Sequence, residues 1–367
     1  MKQGRTINAL AEEISRQMSA KRDYVAPRSK MRMELREKAQ PVLTLANGNG
    51  GYEFGVRPMG HEQLAAKLSI PKAYYDRMLG GAQGLLVGNV NHWLEHGDGD
   101  KAMMVRTLDG QARAFLSDRY RALDHSDLAE AILPTLQEQE LYIVSCEITE
   151  RRLYIKAFDK RIEREIELKG SDPAHTFIKT DVVYPAITIS NSEVGCGSLS
   201  VAAGLFTGGC TNFASFSDSR MRKYHIGGRL TGNDELSAML SDTTKRLTDA
   251  AIWAQTRDVV MAAFQLARFE ELVGRLQQTT EQKIDGDVVE VISRTGKRFG
   301  FSEHEGKSVL KHLVEGGSLT QYGLFNAVTR AAEDLEDYDR ATQFERFGGE
   351  IVELPANEWK HLASVSN

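Results

Sequence analysis

Arg151-Arg152-Leu153-Tyr154-Ile155-Lys156-Ala157-Phe158 decides how the middle of this 367-residue chain folds. With a strand's period of two, Leu153, Ile155 and Ala157 fall on one face, with Arg151 at its edge. Arg152, Tyr154, Lys156 and Phe158 fall on the other. The first face is apolar and fit for a core. The second alternates cations with rings, the chemistry that holds a single nucleic-acid strand by its phosphates and bases. A second string, Ser219-Arg220-Met221-Arg222-Lys223-Tyr224-His225, is a short basic cluster around an aromatic.

Working outward, the neighbours of this string also read as strands. Leu141–Thr149, Arg151–Asp159 and Ile162–Leu168 form an expected meander. Ile187–Ser190, Ser198–Phe206 and Asn212–Phe216 continue it. Ala102–Tyr120 reads as two strands joined at Asp109-Gly110, a pair suited to a tight hairpin turn. Ser126–Glu138 reads as a helix capped by Ser126 and kinked or ended early by Pro134. Upstream, Ile7, Leu10, Ile14 and Met18 recur at helical spacing. Lys21–Gln40 is an arm or a strand pair, Pro41–Ala46 a strand, and Asn47–Gly51 a turn.

Downstream the texture becomes helical. Between Asn233 and Leu276 there is no Pro, and the only Gly is Gly274. Leu236, Leu240, Thr243, Leu247, Ala250 and Ala254 keep a three-four spacing, so one long helix is expected, or two with a bend, capped by Asn233. Such a stripe must pack on the sheet domain or on another copy, which favours a homo-oligomer. Residues 302–316 and 319–335 read as further helices, and Trp359 sits in an ill-defined acidic tail. The expected class is α+β: a largely antiparallel sheet domain with flanking helices, then a long helix and a helical C-terminal region. The expected divisions are 1–100, a mixed segment; 101–232, the sheet domain; and 233–367, the helical region.

Bulk composition narrows the functions. Hydrophobic residues make up 41%, enough for a sizeable core, and the net charge of −5 excludes a polycation. Charge is uneven. Residues 1–40 hold ten Lys/Arg against five Asp/Glu, and residues 301–367 hold six against twelve, so a cationic face must be local. Cys146, Cys196 and Cys210 are too few and too scattered for a disulfide framework, which fits a reducing cytosol. There is no signal-peptide-like segment, and no apolar run of the roughly 18 residues that span a bilayer, so no membrane partner is expected.

Three constellations carry chemistry. Arg113, Arg119, Tyr120 and Arg121 cluster at the hairpin and would flank an open sheet face. Gln63–Leu79 fits a helix-turn-helix, with Pro71 opening the second helix and Lys72, Tyr75 and Arg77 exposed to read DNA. His92-Trp93-Leu94-Glu95-His96 matches a His-x-x-Glu-His zinc motif, but Gly97 and Gly99 follow at once and no third ligand is evident. Phosphate-cradling glycine motifs of nucleotide hydrolases are missing.

The string Ala112-Arg113-Ala114-Phe115-Leu116-Ser117-Asp118-Arg119-Tyr120-Arg121-Ala122-Leu123-Asp124 resembles a signature of a phage and plasmid family, the one called domain of unknown function nine hundred and thirty-two. Two more strings resemble it. One is Gln63-Leu64-Ala65 through Ile70-Pro71 and Tyr74-Tyr75. The other is Ile189-Ser190-Asn191-Ser192-Glu193 through Gly204-Leu205-Phe206 and Cys210-Thr211-Asn212. Together they cover roughly residues 40 to 275. The resemblance implies DNA metabolism of a mobile element, and it extends remotely to single-strand annealing recombination proteins, which form rings. It implies no catalytic residues.

The reading that results is a non-enzymatic phage or plasmid protein, without metal or cofactor, that binds single-stranded DNA and promotes annealing or recombination. Its expected contacts are Arg113, Arg119, Arg121, Arg152, Tyr154, Lys156, Phe158, Arg220, Arg222, Lys223 and Tyr224. The alternatives are a sequence-specific regulator acting through residues 61–79 and a zinc-dependent hydrolase at His92, Glu95 and His96.

Overall fold

The computed structural model describes residues 1–36, 40–46, 51–97, 99, 101–121, 123–168, 180–208, 212–223 and 242–364. They form an α+β fold built on two largely antiparallel sheets.

The first sheet follows α1 (Ile7–Ala20), whose Thr6 side chain accepts the Ala9 N–H. Its strands are β1 (Lys21–Pro27), β2 (Met31–Leu35), β3 (Pro41–Leu45), β4 (Tyr52–Val56), β5 (Ala102–Leu108) and β6 (Gln111–Ser117), in spatial order β1-β5-β6-β4-β3-β2. Only β4 and β6 run parallel. Asp109 and Gly110 both take positive φ, 54° and 72°, the conformation a two-residue hairpin turn with strand-matched twist requires. Helices α2 (Pro58–Lys67), α3 (Lys72–Gly81) and α4 (Gln83–His96) bury Leu64, Tyr75, Met78, Leu86 and Val90 against Met33, Leu43, Phe54, Val105 and Phe115 of the sheet. The division expected at residue 100 lies inside this sheet, because β5 hydrogen-bonds to β1, more than eighty residues upstream. Lys21–Gln40 supplies the strand pair of β1 and β2. The turn expected at 47–51 lies almost wholly outside the described residues.

The second sheet follows α5 (His125–Glu138). It contains β7 (Tyr142–Ile148), β8 (Leu153–Phe158), β10 (Thr180–Asn191), β11 (Leu199–Thr207) and β12 (Asn212–Lys223), in order β12-β11-β10-β8-β7. The short β9 (Arg164–Glu167) pairs with β10 instead of extending the meander from β8. Helix α5 begins one residue before the expected cap, with Asp124 at the N-cap, and continues through Pro134. The apolar face of β8 is core as the alternation requires: Leu153, Ile155 and Ala157 pack with Ile187, Ile189 and Val201 beneath α1 and α5.

Among the described residues seven helices follow: α6 (Asp242–Ala263), α7 (Leu266–Thr279), α8 (Val288–Phe299), α9 (Glu303–Gly316), α10 (Gln321–Ala331), α11 (Tyr338–Val352) and α12 (Ala356–Ala363). The long helix is thus two, broken where Gln265 takes an extended conformation. Asn233, Leu236 and Leu240 lie outside the described residues. Within α6, Ile252, Trp253, Val259 and Val260 pack into the core of the second sheet. These are not the residues of the stripe that favoured an oligomer: of its described members Thr243, Leu247 and Ala250 are exposed, Leu247 at 67%, and Ala254 is half-buried. The tail is ordered helix, with Trp359 buried in the largest cluster beside Phe269, Phe325 and Phe344. No helix among the described residues is long and apolar enough to cross a membrane.

Helix α11 lies across the second, cation-and-ring face of β8. Lys156 and Glu345 are both 0% exposed, with Nζ 2.6 Å from Oε2. The Lys156 ammonium also sits 4.6 Å from the Tyr338 ring centroid. Burial pushes the Lys156 pKa down, and Glu345 opposes that. A buried pair is costly to break, because the survivor is left charged without water. We therefore expect Lys156→Ala to lower unfolding free energy by about 3–5 kcal/mol in urea titrations. Lys156→Met combined with Glu345→Leu recovers most of that loss. A single variant as stable as the parent would show that the pair does not hold α11 on the sheet.

Candidate functional site

Strand alternation decides where the sequence's basic face can act. Tyr154 donates to Asp339 of α11 at 2.8 Å. Phe158 stacks on Phe206 at 4.6 Å and packs with Phe213. With Lys156 sealed under Glu345, these three side chains are covered. The open face expected over β8 is closed by the acidic C-terminal region, which is the correction the structure makes. Arg152 differs. It is half-buried at the end of β8, donating to the Cys196 carbonyl at 3.0 and 3.3 Å and to Ser190 Oγ at 3.2 Å.

The hairpin cluster separates in the same way. Arg113 is buried and donates to Glu193 Oε2 at 2.5 Å. Arg121 pairs with Asp249 of α6 at 2.6 Å, and Arg119 is exposed. Tyr120 donates to the Ser192 carbonyl. Glu193 also takes Lys21 Nζ at 3.2 Å and the His125 N–H at 2.7 Å. Arg106, 1% exposed, joins Asp23, Asp124 and the Glu193 carbonyl. Arg113 is thus part of a buried ionic seam between the two sheets and does not face solvent.

Of the expected duplex-reading side chains, Tyr75 is fully buried, 2.8 Å from His61 Nδ1, because α3 turns that face onto the first sheet. Lys72 and Arg77 are exposed, with Lys72 paired to Asp76. His92, Glu95 and His96 lie on the exposed last turns of α4, which ends at His96. The two rings stack at 4.8 Å, and His96 Nδ1 lies 3.1 Å from the His92 carbonyl. Among the described residues no three His, Cys, Asp or Glu are grouped to hold a metal ion.

What remains open on the second sheet is a polar cleft of about 440 Å³ between the sheet and α11. Arg152, Ser190, Ser198 and Ser200 line the sheet side, and Asp339, Thr342, Gln343 and Arg346 line the helix side. The turn at Gly195-Cys196-Gly197 closes one end. Gly197 has a φ of 158°, and a Cβ there would fall 1.2 Å from Arg152 Nη2, so the guanidinium lies directly against the glycine backbone. Thr188 Oγ1 and Ser215 Oγ bond at 2.8 Å along the floor. Burial raises the Asp339 pKa, against the hydroxyl bonds from Tyr154 and Thr149. Burial also raises the Cys196 thiol, which disfavours a thiolate nucleophile. Thr342 Oγ1 is buried without a hydrogen bond among the described residues.

The pairing register brings the second basic string to this cleft. Ser200 pairs with both Ser190 and Arg222, and Ala202 pairs with both Thr188 and Arg220. Ser190 in turn pairs with Tyr154, and Thr188 with Lys156. The side chains of Arg220, Arg222 and Lys223, and all of Tyr224, lie outside what is described. Sequence reasoning missed Ser190, Ser198, Ser200 and Arg346. The spacing of Thr188 with Ser190, and of Ser198 with Ser200, was a visible sign of a hydroxyl-bearing strand face. Arg346 had no such sign.

No family model, no curated protein and no solved structure was found to match this chain.

The seam makes the fold acid-sensitive. Burial pushes the His125 imidazole down to about 4, and that of His61 likewise. Burial works to raise Glu193, but His125, Arg113 and Lys21 outweigh it and hold the carboxyl below its usual range. Unfolded histidine takes its proton near 6.5, and the folded ring stays neutral until about 4. The unfolded state therefore binds the extra proton, and stability falls as pH drops through that window. The expected loss from His125 is on the order of 3 kcal/mol. The Glu193 contribution is present above the ordinary carboxylate range and is lost at still lower pH. Urea midpoints from pH 7 to pH 4.5 should fall, and His125→Gln should flatten the decline. An unchanged slope in that variant would remove His125 as its source.

Proposed function

We propose that this chain binds single-stranded DNA in the metabolism of a phage or plasmid, promoting annealing or recombination without catalysis, and that the strand is held at the cleft beside α11. The observation that supports this most directly is the register of the second sheet. It sets Arg222 and Arg220 across from Ser200 and Ala202, in rows that reach Tyr154 and Lys156 of the other basic string. Two strings 60 residues apart in sequence thereby converge on one region, whose open part carries Arg152 and Arg346.

Cations in such a place neutralise phosphates and release counterions, so binding must weaken with salt. The lining hydroxyls suit the sugar-phosphate backbone and carry no base code. Tyr154 and Phe158, being covered, are not assigned base stacking, and Lys156 is not assigned a phosphate. The resemblance of three sequence strings to a family of mobile elements supplies the biological setting. Self-association remains part of the proposal, with the exposed Thr243, Leu247 and Ala250 of α6 contributing to its surface.

Anisotropy titrations with labelled single strands and duplexes across a salt series test the reading. Single strands should bind more tightly. Arg152→Ala and Arg222→Ala should each weaken binding, and each should lower the salt slope by about 0.7 for one lost phosphate contact. Preference for duplex, or affinity and slope untouched in both folded variants, would sink it.

A further inference from the structure

We infer that the cleft between the second sheet and α11 holds the strand by its end, as a receptor for its terminal phosphate, a phosphate monoester. This deepens the nucleic-acid reading and rests on it.

Shape is the first argument. A strand that passes through needs an open channel in both directions. This space is a pocket of about 440 Å³, bounded by the sheet, by α11 and by the turn at Gly195-Cys196-Gly197. Its floor is tied by the Thr188–Ser215 bond, and Tyr154 bonded to Asp339 closes it further. A space of that volume falls within the range of clefts that take a small ligand group.

Charge and donor count are the second. A phosphate monoester carries close to two negative charges near neutral pH and three strongly accepting oxygens. An internal diester carries one charge and two such oxygens. The pocket is lined by two guanidiniums, Arg152 and Arg346, and by the Asp339 carboxylate, which already accepts from Tyr154 and Thr149; a second carboxylate, Glu350, lies 3.3 Å from Arg346. Arg152 is held before any ligand arrives. Three of its N–H groups are fixed on the Cys196 carbonyl and Ser190, and its plane is set against Gly197. A guanidinium has five donors, so two remain for an anion. On the other wall Arg346, its side chain 40% exposed, lies 3.3 Å from Glu350 without a hydrogen bond to it and 5.6 Å from the Phe347 ring centroid. Ser198 and Ser200 line the pocket between them and supply hydroxyl donors. A guanidinium fixed as Arg152 is binds a phosphate more strongly than a mobile surface lysine, because little side-chain entropy is lost.

The test uses the full chain and single strands of one sequence: a 3′-labelled strand with a 5′-hydroxyl or a 5′-phosphate, and a 5′-labelled strand with a 3′-phosphate. Inorganic phosphate serves as competitor. One of the phosphorylated ends should bind about tenfold tighter than the hydroxyl end, the effect of a charge-assisted contact in a partly enclosed site. Arg346→Ala and Ser198→Ala, confirmed folded by thermal melting, should remove that excess, so that phosphorylated and hydroxyl-ended strands bind each variant alike. Millimolar inorganic phosphate should compete away the same excess and no more. Equal binding of phosphorylated and hydroxyl ends overturns the inference while strand binding itself stands. Loss of all strand binding together with retained protection by inorganic phosphate overturns it differently, assigning the pocket to a free phosphate and removing the nucleic-acid reading as well.

Discussion

Glu193 sits 2% exposed between the two sheets, and the relation of the two halves depends on it. Its carboxylate receives Arg113 from β6, Lys21 from β1 and the N–H of His125 at the head of α5, and its carbonyl receives Arg106 from β5. Each of these groups would be costly to bury alone, and together they satisfy one another. The seam therefore specifies a single docking of the sheets, where an apolar contact would tolerate sliding. Neighbours of Glu193 extend the same role. Asn191 donates to the Leu123 carbonyl, and Ser192 donates to the Arg151 carbonyl and accepts the Cys196 N–H. The turn that shapes the cleft is anchored by the seam, so the site inherits its geometry from an ionic network it does not touch.

The charge imbalance along the chain also finds its physical meaning here. The acidic C-terminal region does not remain a solvated tail. Asp339 and Glu345 are laid onto Tyr154 and Lys156, and Glu305 and Arg340 join α9 to α11. Carboxylates occupy positions on the sheet where phosphates were expected. What stays open is the cleft beside α11, between its Asp339, Thr342, Gln343 and Arg346 and the sheet's Arg152 and serines.

The sequence made the strand alternation of β8, the Asp109-Gly110 hairpin and the helix spacing at Ile7–Met18 legible, because each is a local rule acting on neighbours in the chain. The covering of β8 was not legible, because it depends on residues some 185 positions downstream whose own pattern says only that a helix is amphipathic. The strand face of Arg152, Tyr154, Lys156 and Phe158 was grouped correctly, yet grouping on a face does not tell whether that face meets water or a helix. Tyr75 shows the same limit: helical spacing placed it beside Lys72 and Arg77, and only packing decided that it turned inward onto His61. Arg113 and Arg119 look alike in sequence and share a parity, but Arg113 lies within β6 and reaches Glu193, whereas Arg119 falls in the turn beyond the strand's end and is exposed.

The order β1-β5-β6-β4-β3-β2 has a consequence for a chain made from its N-terminus. β1 has no neighbour until β5 has been synthesised, and Arg106 and Arg113 have no Glu193 for some eighty residues after that. During that interval the future seam is a hydrated, positively charged surface. Water shields it from premature collapse, and the apolar second sheet meets it only when strand β10 has delivered its carboxylate. Contacts this distant in sequence make folding slow, and the guanidiniums keep the waiting half-molecule soluble until its counter-charge arrives.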